Sequence, residues 1–303
     1  MGANSVKKQM GKVALNIWQL LPPKLQEWPS VRALGAGVHR LSRKFSNRGQ
    51  VESTWFLRNE PLLLTIAEIV DKNSSNDEPV RLCIMGCSTG AEMFSVLWAI
   101  RKKRPDLKIV PVGVDISKSA LDRARAGRYQ RDDWELRGKI PDEVFSELFD
   151  VDGNELRIKG WISEGVQWVL DDARDLEIVQ HLGQQDILVA NNFLIHMKPR
   201  EATACLNNII QLVRPGGFFV CQGVDLEIRE RAVEEFQLEP ISTRIEEIHD
   251  WDFLDLRYRW PLKYDGLEPL NKSRKDWVQR YAAILRMPKG SKAERASMGT
   301  AKK

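Results

Sequence analysis

Cysteine and histidine are both scarce here, four of each among 303 residues. Cys83, Cys87, Cys205 and Cys221 form no CxxC pair, and no histidine cluster completes a ligand set, so neither a metal centre nor a disulfide framework is expected. Each lies in or beside an apolar run, which reads as a buried free thiol in a reducing compartment. No apolar run approaches the ~18 residues needed to cross a bilayer. The first ten residues lack the apolar stretch of a secretory signal. A Met1-Gly2 start invites myristoylation, but Val6 stands where that motif wants Ser or Thr. A cytoplasmic protein is therefore expected. Two nucleotide motifs are missing as well. Without GxxxxGK[ST] a P-loop is disfavoured, and without GxGxxG so is a nicotinamide oxidoreductase.

The hydrophobic share, 43%, is ordinary for a globular chain. Charge is uneven. Residues 1–58 carry ten Lys/Arg against two Asp/Glu, while the remainder is mildly acidic. This basic leader reads as short helices. Val13, Ile17, Leu20 and Leu21 recur at helical spacing until Pro22-Pro23, and a second basic helix is expected over 31–45. Such a face is either simply solvated or meets an anionic partner.

Past the loop at 72–79 an alternation begins. Strands are expected at 81–85, 109–114, 186–190 and 218–221, each followed by a helix: 90–103, 117–126, 200–213 and 227–235. Strands alternating with helices of this length imply an α/β, doubly wound parallel sheet. Two late runs, 239–245 and 253–258, are expected to form an antiparallel edge. Between 130 and 170 the rhythm breaks, and Asp152-Gly153 between apolar runs predicts a short inserted β-hairpin. The tail from Pro288 is Lys-, Ala-, Ser- and Gly-rich and reads as disordered.

The first strand runs into Gly86-Cys87-Ser88-Thr89-Gly90 and a helix. Glycines at a strand-to-helix turn let a ligand approach backbone N–H groups, and open α/β sheets bind ligands at this end. Asp115 ends the second strand, where a carboxylate can accept from both hydroxyls of a ribose, or cap the next helix. Asp171-Asp172 follow a third strand-like run and suit an adenine amine, or a solvated turn. Together these acidic strand ends suit a cofactor that bears a nucleoside.

Several stretches, in order, resemble the CheR family of chemoreceptor-glutamate methyltransferases: Thr54-Trp55-Phe56-Leu57-Arg58 its T-x-F-F-R, residues 86–95 its G-C-S-T-G-E-E-P-Y-S, residues 114–117 its T-D-I-D, residues 121–129 its L-x-x-A-R-x-G-x-Y helix, and Arg214-Pro215-Gly216-Gly217 a K-P-G-G turn. The resemblance spans about residues 50 to 225. It implies a Rossmann-like class I methyltransferase sheet that uses S-adenosylmethionine (SAM). The expected organisation is a basic helical region (1–58), the methyltransferase domain (59–287) with its β insertion at about 130–170, and the tail (288–303).

By the same resemblance, Thr54 and Arg58 face the SAM carboxylate and the reaction centre. Glu92 takes the methionine amino end, Asp115 the ribose, and Asp172 the adenine, where the family usually has Asn. Gly86, Ser88, Thr89, Gly90, Ile116, Ala173, Asn191 and Asn192 complete the expected cofactor set. The chain departs from the pattern at Ala91, and its 190–197 segment replaces C-R-N-V-L-I-Y-F, putting Asn191 for Arg and His196 for Tyr. His196 becomes a candidate general base for a hydroxyl or amine acceptor, alternatively a structural histidine. The late aromatics Trp251, Phe253, Tyr258, Trp260 and Tyr264 are candidates for an acceptor pocket or for the core of edge strands. The expected partners are SAM and an acceptor that is a protein carboxylate or a small molecule. A SAM-binding regulatory module and a nucleic-acid methyltransferase are the competing readings, the latter disfavoured because no recognition module is visible.

Overall fold

A computed structural model describes residues 54–138, 140–251 and 270–290, with isolated positions between 20 and 34. The leader helices, the 253–258 run, the aromatics Phe253 to Tyr264 and the tail beyond Gly290 lie outside the described residues.

The expected alternation is present, as β1 (Val80–Met85), β2 (Ile109–Asp115), β6 (Gln167–Leu170), β7 (Gln185–Val189) and β8 (Val213–Val220) lie side by side and parallel. The full sheet runs β6-β2-β1-β7-β8-β10-β9, with β9 (Glu239–Pro240) and β10 (Ile284–Arg286) as its antiparallel edge. The chain winds outward from β1 through β2 to β6, then restarts at β7 on the other side. The switch point between β1 and β7 opens a crevice at the strands' carboxyl ends.

Helices cover both faces: α1 (Glu60–Asn73), α2 (Ala91–Lys103), α3 (Lys118–Ala126), α4 (Asp142–Leu148), α5 (Gly160–Ser163), α6 (Ile178–Leu182), α7 (Pro199–Ile210), α8 (Leu226–Phe236), α9 (Ile245–Asp250) and α10 (Trp277–Tyr281). Period-two alternation in β1 shows why two layers are needed. Leu82 and Ile84 enter one apolar core with Leu97 and Phe94, while Cys83 and Met85 enter the other with Leu188 and Leu206. All four cysteines are buried free thiols, and burial lifts Cys83 to about 12.

The helix expected over 117–126 is α3, and two details beyond it depart from the sequence expectation. Gly127 takes a left-handed C-cap (φ 58°), and Arg128–Gln130 becomes β3. β3 joins the hairpin of β4 (Phe149–Asp152) and β5 (Glu155–Ile158) in a three-stranded sheet of its own. The run from 239 to 245 is strand only at Glu239–Pro240, because Arg244 turns left-handed (φ 52°) and starts α9. The strand that fills the edge is instead β10, from near the end of the chain.

Candidate cofactor site

The crevice holds a cavity of about 280 Å³, walled by Thr54, Arg58, Gly86, Ser88, Glu92, Asp115, Ile116, Asp171, Asp172, Ala173, Asn191, Asn192 and His196, among others. Twelve positions of the expected cofactor and catalytic set therefore meet on one wall, drawn from five separate stretches of sequence. Thr89 and Gly90 are not on it. The Thr89 hydroxyl instead donates to buried Glu135 (2.7 Å), and its carbonyl accepts from Tyr129 (2.6 Å). Gly90 is needed for its left-handed φ of 93° and for close packing against Ala124 and Trp168.

The glycine loop is pinned by Asp115. One carboxylate oxygen accepts from the Ser88 backbone N–H (2.7 Å) and the other from that of Ser117 (2.9 Å). Helix capping and ligand binding are thus compatible, since a carboxylate offers about four acceptor sites and two remain. Ser88 sits at φ 49°, a conformation that costs a non-glycine residue on the order of 1 kcal/mol. Its buried hydroxyl oxygen has no partner among the described residues.

Arg58 reaches the wall from the segment before α1, which is tied down on both sides. The Phe56 N–H donates to the Glu135 carbonyl (2.9 Å) and the Leu57 N–H to the Ser95 hydroxyl (3.0 Å). The Phe56 ring packs edge-on to Tyr129 and Phe149, and Asn59 caps α1 through the Leu62 N–H. Glu135 therefore links the glycine loop to the arginine segment.

Glu92 stands in the first turn of α2, where its Oε1 accepts from the Asn191 side-chain amide (2.7 Å). The Asn191 amide oxygen in turn accepts from the Gln222 N–H (2.8 Å). Burial raises the Glu92 carboxyl above its usual range, opposed by the Asn191 hydrogen bond and then by the Arg58 charge. Asp172 is placed on the wall, but it is already gripped by Arg174, whose Nε lies 3.0 Å from each carboxylate oxygen; this holds its pKa down. Asp171 shares that wall, with His181 3.4 Å from its Oδ2. Arg174, Glu201, Phe193 and Met197 are wall residues that sequence reasoning missed. Only Arg174 carried a readable signal, its i+2 spacing from Asp172.

A sequence model described as the SAM-binding domain of CheR methyltransferases matches residues 52–241. The chain belongs to the CheR methyltransferase family. Among its relatives is chemotaxis protein methyltransferase 1 of Vibrio cholerae, 28% identical over 177 residues, or 56% of this chain and 62% of the relative. A chemotaxis protein methyltransferase of Vibrio parahaemolyticus is 25% identical over 175 residues, again 56% and 62%. The chain thus spans about three fifths of the length of these curated relatives. Among solved structures, the SAM-bound magnesium protoporphyrin IX methyltransferase of Synechocystis aligns over 73% of this chain and 88% of its own, at 18% identity and a TM-score of 0.35.

The cofactor of this CheR-family chain is SAM, and the wall suits it. SAM carries a sulfonium and an ammonium, and the carboxylates of Glu92, Asp115 and Asp171 face the same cavity. The orphaned Ser88 hydroxyl is a further polar group awaiting a partner. Among the described residues no group of three His, Cys, Asp or Glu could hold a metal, and no helix is long and apolar enough to cross a membrane.

The raised Glu92 pKa has a testable sign. Protonation of Glu92 removes the charge that would meet the cofactor's ammonium, so SAM affinity should fall as pH drops through that raised pKa. Asn191→Ala deletes an interaction that lowers it, and should move the acid limb to higher pH. The stability contribution has the opposite sense: it is present below the ordinary carboxylate pKa and is lost as pH rises through the raised one. Calorimetric SAM titrations from acidic to neutral pH check this, and superimposable profiles for mutant and wild type would remove Glu92 from the ammonium site.

Proposed function

We propose that the chain catalyses SAM-dependent methyl transfer to an oxygen, and that the accepting group is a carboxylate, most simply one carried by a protein. The observation that carries this is Arg58, a permanently charged side chain capable of bidentate donation, on a backbone segment tied down at Phe56 and Leu57, at a cavity wall whose other charged residues are mostly acidic. An ionised carboxylate needs to be oriented, not deprotonated. The chemotaxis methyltransferases among the relatives support a protein acceptor.

Bound SAM supplies an electrophilic methyl group on a sulfonium. The chain's own residues hold and align. Asp115 keeps its two remaining acceptor sites for the ribose hydroxyls, and Glu92 meets the ammonium. Thr54 and Arg58 border the methionine end, and Asp171 with Asp172 the adenine end. Ile116, Ala173 and Asn192 give the wall its shape. Arg58 then orients the acceptor, and alignment of this kind accounts for much of the catalysis such a reaction requires.

His196 favours a second reading, because it lines the same cavity. There it would take a proton from a hydroxyl or amine acceptor.

Methyl esters separate the two readings, because mild alkali releases them as volatile methanol, whereas ethers and N-methyl groups survive. With radiolabelled SAM and acceptor protein from a cell extract, alkali-labile label is expected. Arg58→Ala should lower its transfer about a hundredfold, the loss of roughly 3 kcal/mol of charge-assisted orientation. His196→Ala should change it less than about threefold, equivalent to well under 1 kcal/mol. Alkali-stable label that vanishes in His196→Ala would establish the hydroxyl or amine reading instead.

A further inference from the structure

Two buried residues each bridge the same two pieces of the cofactor wall. Tyr129, on β3, donates its hydroxyl to the Thr89 carbonyl (2.6 Å) and sets its ring edge-on to Phe56, with centroids 5.1 Å apart. Glu135 lies just beyond β3 on a single turn of 3-10 helix (Trp134–Leu136). Its carboxylate accepts from the Thr89 hydroxyl (2.7 Å), and its carbonyl accepts from the Phe56 N–H (2.9 Å). Thr89 follows Ser88 in the glycine loop, and Phe56 stands midway between Thr54 and Arg58. Neither Tyr129 nor Glu135 lines the cavity itself.

The glycine loop needs holding. Gly86, Ser88 and Gly90 all have left-handed φ, of 66°, 49° and 93°. Thr89 sits between two such positions, and a non-glycine residue such as Ser88 keeps that conformation only where its surroundings over-determine it. Asp115 fixes the Ser88 N–H. Thr89 is the next anchor, and it is taken at both its hydroxyl and its carbonyl. The Glu135 side chain is only 5% exposed, and a carboxylate is expensive to bury without partners. Arg123 supplies the countercharge, with Nη2 3.3 Å from the second carboxylate oxygen, and it also bonds Asp133. An apolar side chain of similar size often stabilises a fold as well as a buried ion pair does. What it lacks is an acceptor aimed at the loop.

We infer that Glu135 and Tyr129 are positioning residues for SAM, which hold the glycine loop and the Thr54–Arg58 segment in register on either side of the methionine end. The inference rests on SAM occupying this cavity.

The test is calorimetric titration of the full chain with the demethylated product, S-adenosylhomocysteine (SAH), well below the Tm of each variant. Glu135→Ala and Thr89→Val break one bond from its two ends. Each should weaken SAH binding about tenfold, and the double variant should lose little more than either alone. Thr89→Ser keeps the hydroxyl and Glu135→Gln keeps an acceptor for it, so both should stay within about threefold of wild type. Tyr129→Phe keeps the ring, loses only its hydroxyl and should cost about fivefold. It carries the test if Glu135→Ala does not fold. A purely structural role would lower Tm and leave SAH affinity at its wild-type value. That result, or losses for Glu135→Ala and Thr89→Val that add, overturns the inference. Failure of the wild-type chain to bind SAH would instead overturn the cofactor site beneath it.

Discussion

Replacing Asp115 with alanine is expected to weaken SAM and SAH binding about a hundredfold. A carboxylate that accepts from a ribose diol contributes two charge-assisted hydrogen bonds, each worth roughly 1.5–3 kcal/mol, and a net loss near 3 kcal/mol is two decades of affinity. The same side chain accepts the Ser88 and Ser117 N–H groups, so its removal also frees the glycine loop. Asp115→Asn separates the two effects. The amide keeps one acceptor for the loop, lacks the charge and sets its NH2 against the second backbone N–H, so it should cost about tenfold in affinity, near 1.4 kcal/mol, with a smaller fall in Tm than Asp115→Ala. Calorimetric titration with SAM, SAH and NAD checks both variants, with NAD expected not to bind any of them. Asp115→Ala that binds SAM as wild type does would move the ribose site elsewhere.

Gly223→Ala should be the most damaging small substitution near the site. Gly223 has φ 65°, and a Cβ there would lie 2.6 Å from both the Cα and the side-chain oxygen of Asn192. Asn192 is left-handed itself (φ 62°) and donates its N–H to the Gln222 carbonyl, so neither partner has room to retreat. The left-handed penalty of 1–2 kcal/mol and an overpacking cost of 1–3 kcal/mol together predict a loss of about 3 kcal/mol, on the order of 10 °C in Tm. SAM affinity should fall with it, because Asn191 and Asn192 belong to the cofactor wall. Thermal melts with and without SAH measure both. A Tm within a degree or two of wild type would show that the 191–192 turn yields easily.

Much of this was legible in the sequence, because the signals are local. Apolar strands alternating with helices announce the parallel sheet, and Gly86 through Gly90 sit where a strand must turn into a helix. Asp152-Gly153 fixes the hairpin. What escaped depends on distant pairing. Ile284–Arg286 is a three-residue strand with no alternation to betray it, and it is a strand only because Phe218, Phe219 and Val220 lie opposite. The end of the helix at Ala126 was readable, but Arg128–Gln130 is a strand only because Leu156 pairs with Tyr129. Thr89 looked like a ligand contact by its loop position, but its direction is set by Glu135, 46 residues away. The Glu92–Asn191 bond spans 99 residues, and no local pattern encodes it. Trp55 likewise meets Arg137, 82 residues further along the chain.

The placement of β10 bears on the order in which the molecule can be built. This strand is inserted between β8 and β9, yet its residues are among the last described. On the ribosome, the five parallel strands that carry the cofactor crevice have all emerged by Val220, while β9 has no neighbour until Arg286 follows. Until then β8 presents an open, largely apolar rim to the nascent chain's surroundings. A stalled or truncated product that stops short of residue 284 thus has the cofactor half of the fold but a sticky flank, a form for which chaperones and proteases compete.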